Sequence, residues 1–195
     1  ELPEAARIGT SSLRRKCQLL ARRSDLQIRE IRGNVGTRLK KLDEDQFDAL
    51  VLAAAGVKRL GLEDRVVEFF SLDELLPAAS QGALGIEIRK DNVNVLSLIE
   101  GLCDAESQSC VVAERALNRQ LGGDCHVPIA AHAEMQGSNL ILRALVGRVD
   151  GSEIIQASTT GPVEDAAELG LKLGLELLDM GAGDILQEVS NTNAG

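Results

Sequence analysis

The sequence predicts an α/β protein with two units: a βαβ domain with a parallel sheet, then a small α+β domain with a three-stranded antiparallel sheet flanked by helices. Short apolar strand patterns alternate with helix patterns over residues 1–76, the order expected of a parallel sheet with crossover helices. Three strand patterns separated by glycine turns lie between residues 129 and 160, as in an antiparallel sheet. The two patterns indicate separate domains.

The N-terminal domain, residues 1–76, is predicted from local patterns. Leu13, Cys17 and Leu20 recur at helical spacing and mark the apolar face of the first helix. Asn34 is suited to cap the second helix, and Gly61 to end the third. The predicted elements are a strand over 7–9, a helix over 12–23, a strand over 26–31, a helix over 34–43, a strand over 49–53 and a helix over 54–60.

Residues 77–103 differ in character from the segments on either side. Small residues and glycines over 77–85 indicate a hinge or a loop at a ligand. Residues 85–89 have the pattern of a short strand that crosses into another domain, since this chain offers it no evident partner. Helical spacing then extends over residues 91–121.

The C-terminal domain, residues 104–195, is predicted to contain strands over 129–135, 140–146 and 154–160. Turns at Gly137-Ser138 and Asp150-Gly151 join them into an antiparallel sheet. A last helix is predicted over 164–180, ended by Gly181. Residues 191–195 are expected to be frayed.

Charge is distributed unevenly along the chain. Residues 1–60 contain 13 Lys/Arg and 8 Asp/Glu, a net charge of +5, whereas residues 61–195 contain 8 and 22, a net charge of −14. An acidic protein that concentrates its arginines at one end is expected to bind an anion with them. A solvated helix face is the alternative. The overall charge of −9 and the absence of Trp and Tyr argue against nucleic-acid binding.

Several classes of protein are not expected from the composition. No apolar run approaches the roughly 18 residues that span a bilayer, and no secretory signal opens the chain, so a cytoplasmic protein with reduced thiols is expected. The four cysteines match no zinc spacing and there are only two histidines, so no metal site is expected. The chain begins with Glu1 rather than Met, and we expect that further sequence precedes it in the parent protein.

A first candidate anion site is the segment from Gly9 to Arg15, where a strand ends and a helix begins. Free backbone N–H groups at a helix start favour an anion, and Thr10, Ser11 and Ser12 add hydroxyl donors. Arg14 and Arg15 lie in the first helical turn, which is unfavourable for cations unless an anion offsets their charge. Simple N-capping by Ser12 is the structural alternative.

Two further basic segments follow predicted strands. Gly33 and Gly36 allow close backbone approach to a ligand, and Arg32 and Arg38 flank them with guanidinium groups that suit carboxylates. Lys58-Arg59 follows the third strand. Ligands of open parallel sheets lie at the carboxyl ends of the strands, so we expect all three basic segments to converge on one cleft. Neither a Walker-type phosphate loop nor a dinucleotide fingerprint is present.

Cys125 lies in a predicted loop, after Gly122-Gly123 and before Val127-Pro128. An exposed loop thiol is either a nucleophile or an attachment point. Asp124 is expected to raise the thiol pKa and His126 to offset that effect, so tethering is favoured over catalysis. Cys17 and Cys110 lie among apolar helix residues and are interpreted as packing residues. The role of Cys103 is left undecided.

Six segments match one family when taken together. They are Gly9-Thr10-Ser11-Ser12-Leu13-Arg14-Arg15, Arg32-Gly33-Asn34-Val35-Gly36-Thr37-Arg38, Leu52-Ala53-Ala54-Ala55-Gly56-Val57-Lys58-Arg59-Leu60-Gly61, Gln81-Gly82-Ala83-Leu84-Gly85-Ile86-Glu87, Ala113-Glu114-Arg115-Ala116 and Gly122-Gly123-Asp124-Cys125-His126-Val127-Pro128. In this order, across nearly the whole chain, they resemble porphobilinogen deaminases (hydroxymethylbilane synthases) of tetrapyrrole (heme) biosynthesis.

The resemblance implies a monomeric three-domain enzyme that joins four porphobilinogen units head to tail into hydroxymethylbilane and releases ammonia. It implies a dipyrromethane cofactor, linked by a thioether to Cys125, that primes the growing polypyrrole. It also implies that side chains of the second domain bind the acetate and propionate groups of cofactor and substrate. The residues so assigned are Arg14, Arg15, Arg32, Arg38 and Arg59, with Thr10, Ser12 and Gln81 assisting.

Two departures from the family pattern bear on activity. The cysteine loop reads Gly-Gly-Asp-Cys here, where relatives usually have Glu-Gly-Gly-Cys. The family's catalytic aspartate belongs to a Lys-Asp pair in a first domain that precedes this sequence, and no equivalent pair is found here. Residues 77–103 are then a hinge and a returning segment of that missing domain. The chain is expected to be a fragment with no catalytic residue of its own and little or no deaminase activity.

A non-enzymatic anion-binding module is the main alternative. The first 75 residues have the pattern of half of a periplasmic-binding-protein-like fold, and such a module binds an anion without reacting with it. A covalent pyrrole on Cys125 distinguishes the two, since a sensor has no need of one.

Overall fold

The computed structural model describes residues 2–123 and 127–193 of the chain. The N-terminal unit contains a three-stranded parallel sheet in the order β2-β1-β3, which confirms the predicted parallel pairing. Its elements are β1 (Arg7–Gly9), α1 (Leu13–Arg22), β2 (Gln27–Arg29), α2 (Val35–Asp43), β3 (Ala49–Leu50) and α3 (Ala54–Arg59).

Local capping and a small apolar core explain this unit. Ser12 accepts a hydrogen bond from Arg15 N at the start of α1, and Asn34 does the same for Thr37 N at the start of α2. Ile8 in β1 is buried and pairs with Ile28 on one side and Ala49 on the other. β1 has the predicted bounds, whereas β2 and β3 are shorter than predicted because β1 presents only three residues for them to pair with.

The C-terminal unit contains an antiparallel sheet in the order β4-β5-β6, as predicted. Its sheet packs against α5 and α6, and Gly170 brings the two helices into close contact, since a Cβ there would lie 2.2 Å from Ala113 O. Buried Leu117, Leu142 and Leu173 belong to the shared core. The elements of this unit are α5 (Ala105–Gln120), β4 (Ile129–Gln136), β5 (Asn139–Gly147), β6 (Ile154–Pro162), α6 (Ala166–Leu177) and α7 (Gly183–Asn193). A further helix, α4 (Val93–Ile99), precedes α5 in the chain.

Two predictions about this half of the chain were wrong. Residues 85–89 form no strand, because no described strand lies beside them to accept their backbone hydrogen bonds; Leu84 is 79% exposed and Ile86 58%. Gly181 does end the regular helix with a φ of +102°, but α7 follows it and extends to Asn193, so residues 191–193 of the expected frayed tail are helical. The helix pattern was broken by Gly181 and Gly183, which favoured a stop.

The linker, defined here as residues 72–83, joins the two units. Leu76 is buried with Ala130 and Leu145 of the antiparallel sheet, and Pro77 O accepts a hydrogen bond from Ala131 N at 3.1 Å. Within residues 2–123 and 127–193, no helix has the length and apolar character needed to cross a membrane. The architecture is thus mixed α/β with a helix-flanked antiparallel sheet, and the likeness to a periplasmic-binding fold stays a prediction.

Candidate functional site

The β1–α1 junction forms the first part of the candidate site. A cavity of about 270 Å³ opens there, and its lining residues are Thr10, Ser11, Ser12, Leu13, Lys16, Ile28 and Glu30. Thr10 is buried, and its Oγ1 accepts a hydrogen bond from Ser12 N at 3.2 Å. Ser11 Oγ donates to Ile31 O at 2.6 Å and so ties the end of β1 to the segment after β2. Ser12 caps α1, so its structural role is present whether or not it binds a ligand.

Arg14 is buried between α1 and the linker, with 6% of its surface exposed. Its Nη1 donates to Leu76 O at 2.7 Å, and its Nη2 donates to Gln81 Oε1 at 3.1 Å. Burial, followed by the positive charge of Arg15, lowers the pKa of Arg14 to about 10, so the side chain remains a cation at neutral pH. The structure therefore brings Arg14 and Gln81 together, as a shared ligand site requires.

The side chains of Arg15 and Arg38 form hydrogen bonds with backbone carbonyls that follow β3 and β2. Arg15 Nη1 donates to Val51 O, just after β3, at 2.6 Å. Burial lowers the pKa of Arg15, and the positive charge of Arg38 lowers it further. Arg38 Nε donates to Gly33 O, just after β2, at 2.7 Å. Arg14, Arg15 and Arg38 are named the arginine group below.

Within the described ranges, no carboxylate forms an ion pair with any member of the arginine group. Burial is the larger cause of the lowered pKa values of Arg14 and Arg15; the charge of Arg15 adds to the effect on Arg14, and the charge of Arg38 adds to the effect on Arg15. Partly desolvated like charges are unfavourable unless an anion compensates them. The arrangement can bind a ligand with several carboxylates, and the guanidinium groups offer forked donors for that purpose.

Arg32 and Arg59 are placed differently from the arginine group. The Arg32 side chain is 84% exposed and lies 3.4 Å from Glu30 Oε1. Arg59 is exposed at the end of α3. Their assignment to the ligand site stays a prediction.

Cys125 lies outside the described residues, but both ends of its loop are described. Gly122 ends α5 with a φ of +63°, and Asn118 Nδ2 donates to Gly123 O at 3.1 Å. On the other side, Pro128 O accepts a hydrogen bond from Gly147 N at 3.2 Å. The described residues on both sides of positions 124–126 are thus held by hydrogen bonds.

Sequence reasoning missed Gln18 and Glu114 as residues that organise this region. Gln18 lies one helical turn after Arg14, and its Nε2 donates to Arg14 O and to Leu76 O. Glu114 is buried on α5 and accepts hydrogen bonds from the backbone of the linker and of β4. A polar residue at i+4 from Arg14 was the available signal for Gln18. The described parts of the chain contain no cluster of three or more acidic, histidine or cysteine side chains suited to a metal ion.

The fold and this region define an α/β protein with a group of arginines near the carboxyl ends of its parallel strands. Residues 1–97 match the family model described as porphobilinogen deaminase, dipyromethane cofactor binding domain. Residues 108–179 match the model of the porphobilinogen deaminase C-terminal domain. The chain belongs to the porphobilinogen deaminase family.

Curated relatives agree with the family models. Porphobilinogen deaminases from two strains of Acidithiobacillus ferrooxidans are each 48% identical to the chain over 190 residues. Each alignment covers 97% of this chain and 61% of the relative. The chain thus spans about three-fifths of the length of the curated relatives that it matches.

Proposed function

We propose that this chain provides the carboxylate-binding and cofactor-bearing parts of a hydroxymethylbilane synthase. That transferase joins four porphobilinogen units head to tail, with release of ammonia, on a dipyrromethane primer attached through a thioether to Cys125. The arginine group is the observation on which the proposal depends. Arg14 and Arg15 follow β1, Arg38 follows β2, and within the described residues no carboxylate forms an ion pair with them.

The residues present fit a ligand that carries acetate and propionate groups. Arg15 and Arg38 each use one described hydrogen bond to a backbone carbonyl, which fixes the side chain and leaves its other N–H donors for a carboxylate. Partial burial strengthens such charge-assisted hydrogen bonds, because water competes less well for the same groups. When bound, the dipyrromethane supplies the terminal pyrrole to which new units are added.

Arg14, Thr10 and Gln81 complete the binding surface in this proposal. Arg14 contributes a fixed positive charge whose direction is set by Leu76 O and Gln81 Oε1. Thr10 Oγ1 accepts from Ser12 N, so its hydrogen is available to a ligand oxyanion. Ser12 orients α1 by capping it. Arg32 and Arg59 are proposed to close over the ligand from solvent.

The proposed domain boundaries are 1–76, 77–103 and 104–195. Exposed apolar side chains support the assignment of residues 77–103 to a first domain in the parent enzyme, since a concentration of exposed apolar surface is typical of a segment that packs against another surface. They are Leu84, Ile86, Val93, Leu96, Leu98 and Leu102. We place the catalytic aspartate in that domain, and we propose that the parent is a cytoplasmic monomer and that this chain alone is inactive.

Binding of porphobilinogen tests the carboxylate site directly. Isothermal titration at low salt is expected to show binding by the chain, and Arg15→Gln is expected to weaken it by about tenfold or more, as for loss of a hydrogen bond between charged groups. Arg119→Gln, an exposed change in the last turn of α5, is the matched control and should bind normally. Equal affinity of Arg15→Gln and the parent chain would refute the site.

Intact mass and peptide mapping test the tether. Chain produced together with the rest of the parent enzyme is expected to carry two pyrrole units on the peptide that contains Cys125, and Cys125→Ser is expected to carry none. Turnover assays should show ammonia release only when the first domain is present. Carboxylate binding by a chain that never acquires the pyrroles under these conditions would favour the anion-binding module instead.

A further inference from the structure

Glu114 is a buried carboxylate outside the arginine group. It lies on α5 with 5% of its surface exposed. Its Oε1 accepts a hydrogen bond from Ala133 N in β4 at 2.7 Å, and its Oε2 accepts one from Ser80 N in the linker. His132 Nδ1 lies 3.7 Å from Oε1. A buried carboxylate is unfavourable without such partners, so the two backbone donors fix its position.

Ser80 is the point at which this carboxylate contacts the linker. Its φ of +61° is in the left-handed region, which is unfavourable for a residue with a Cβ. Among the described residues its own Oγ is buried and makes no hydrogen bond. The hydrogen bond from Ser80 N to Glu114 Oε2 therefore offsets the unfavourable backbone conformation of Ser80.

Gln81 follows directly and extends the path to the ligand site. The turn that contains it is closed by hydrogen bonds from Gln81 N to Ala78 O at 2.9 Å and from Ala83 N to Ser80 O at 3.2 Å. Gln81 Oε1 then accepts from Arg14 Nη2 at 3.1 Å. Two hydrogen bonds, joined by the peptide bond between Ser80 and Gln81, thus connect Glu114 on α5 with the guanidinium of Arg14.

We infer that Glu114 is a positioning residue for the arginine group: by fixing the linker turn at Ser80 it places Gln81, and through Gln81 it sets the direction of Arg14. The inference rests on the proposed function only for the identity of the ligand. Glu114 touches neither substrate nor cofactor in this account. It couples the C-terminal unit to the affinity of the N-terminal unit for carboxylates.

A double-mutant cycle with Gln81 tests the inference. Glu114→Gln replaces an acceptor with an amide that cannot accept from both backbone donors, and it is expected to weaken porphobilinogen binding about tenfold, within the range measured for coupled residues. In a Gln81→Ala background the same change should have no further effect, because the contact through which it acts is gone. Glu106→Gln, an exposed change on the same helix, removes the same charge and should leave affinity unchanged.

Additive losses in the double variant, or unchanged affinity in Glu114→Gln, would overturn the inference. Thermal melts establish that each variant is folded. If Glu114→Gln does not fold, Glu114→Asp, which keeps one of the two acceptor contacts, replaces it in the cycle.

A second measurement separates failure of the inference from failure of the proposed function. If the unsubstituted chain does not bind porphobilinogen, the proposed function fails. The effect of Glu114→Gln on Arg14 is then followed through the Nη signals of Arg14 in ¹⁵N-edited NMR spectra. Those signals are identified by their loss in Arg14→Lys. Separate Nη signals in the parent chain that merge in Glu114→Gln support the inference, since a released guanidinium rotates freely. Unchanged Nη signals overturn it.

Discussion

The side chain of Gln18 forms two hydrogen bonds with the backbone of Leu76. Leu76 N donates to Gln18 Oε1 at 2.7 Å, and Gln18 Nε2 donates to Leu76 O at 3.0 Å. Gln18 lies on α1, whereas Leu76 lies on the linker with its own side chain buried against Ala130 and Leu145. The amide therefore joins the N-terminal unit to the segment that packs on the antiparallel sheet.

Replacing Gln18 with Ala is expected to lower the free energy of unfolding by about 1–3 kcal/mol, because Leu76 N–H is left buried without an acceptor. Urea denaturation followed by circular dichroism measures this. Gln46→Ala is the control, since the Gln46 side chain is exposed and donates a hydrogen bond to nearby Glu44; its effect should stay within about 0.5 kcal/mol. Equal stability of the two variants would show that the Gln18 contact contributes nothing.

Gly151 allows the turn between β5 and β6 to lie against α1. A Cβ at this position would be 2.4 Å from Ala21 N and 2.6 Å from the carbonyl carbon of Leu20. These are backbone atoms, so the helix or the turn would have to move. Gly151→Ala is therefore expected to separate the two units locally and to destabilise the chain.

Gly137 provides a matched control for that change. It has a φ of +63°, close to the +76° of Gly151, but a Cβ there meets no atom within 4 Å. Gly137→Ala should cost about 1–2 kcal/mol from the left-handed backbone alone. Gly151→Ala should cost about 1–3 kcal/mol more from overpacking, measured as the difference in unfolding free energy. The same cost for both changes would contradict the close contact with α1.

Local signals made the N-terminal helices and the antiparallel sheet predictable. Ser12 and Asn34 cap their helices through hydrogen bonds from residues three positions away, so a few neighbouring residues are enough to predict each helix start. The glycine turns fix the pairing of β4, β5 and β6 in the same way. The expected convergence of Arg14-Arg15, Arg32 and Arg38, and Lys58-Arg59 came from the rule that parallel strands end at one edge. Arg38 lies close enough to lower the pKa of Arg15, whereas Arg32 and Arg59 are exposed, and one shared cleft stays a prediction.

Long-range contacts were not predictable from the sequence. Arg14 and Gln18 are buried because of Leu76, about 60 positions away along the chain, and no local pattern encodes that partner. Residues 85–89 have an apolar strand pattern, but a strand forms only where a neighbour supplies hydrogen-bonding groups. Helix α7 was missed because long-range packing stabilises it: Ile185 is buried in the core of the C-terminal unit.

The Arg7–Asp48 pair predicts how stability changes in acid. Arg7 Nη2 lies 2.7 Å from Asp48 Oδ1, and Arg7 N donates to Oδ2 at 2.6 Å. These hydrogen bonds lower the pKa of Asp48 from 3.8 to about 2. Because the folded-state pKa is the lower one, the pair stabilises the fold fully above pH 3.8, and this contribution is lost as the pH falls toward about 2.

Melting temperatures across that pH range test the pair. Asp48→Asn is expected to melt lower than the parent chain at neutral pH and to show a smaller fall between pH 3.8 and about 2. Asp91→Asn, an exposed change in a turn, should retain the slope of the parent chain. Parallel curves for Asp48→Asn and the parent chain would mean that another carboxylate dominates acid unfolding.

Thiol reactivity distinguishes the described cysteines by their burial. Cys17 is fully buried on α1, and burial raises the pKa of its thiol to about 11, whereas Cys103 is exposed. Since the thiolate is the reactive form, iodoacetamide at near-neutral pH should modify the peptide of Cys103 well before that of Cys17. Cys110 is half-buried with a raised pKa, so it should react more slowly than Cys103. Peptide mass spectrometry gives the rates, and the urea-unfolded chain, in which all three thiols should react alike, is the reference. Equal rates for Cys17 and Cys103 in the folded chain would show that burial on α1 does not protect Cys17.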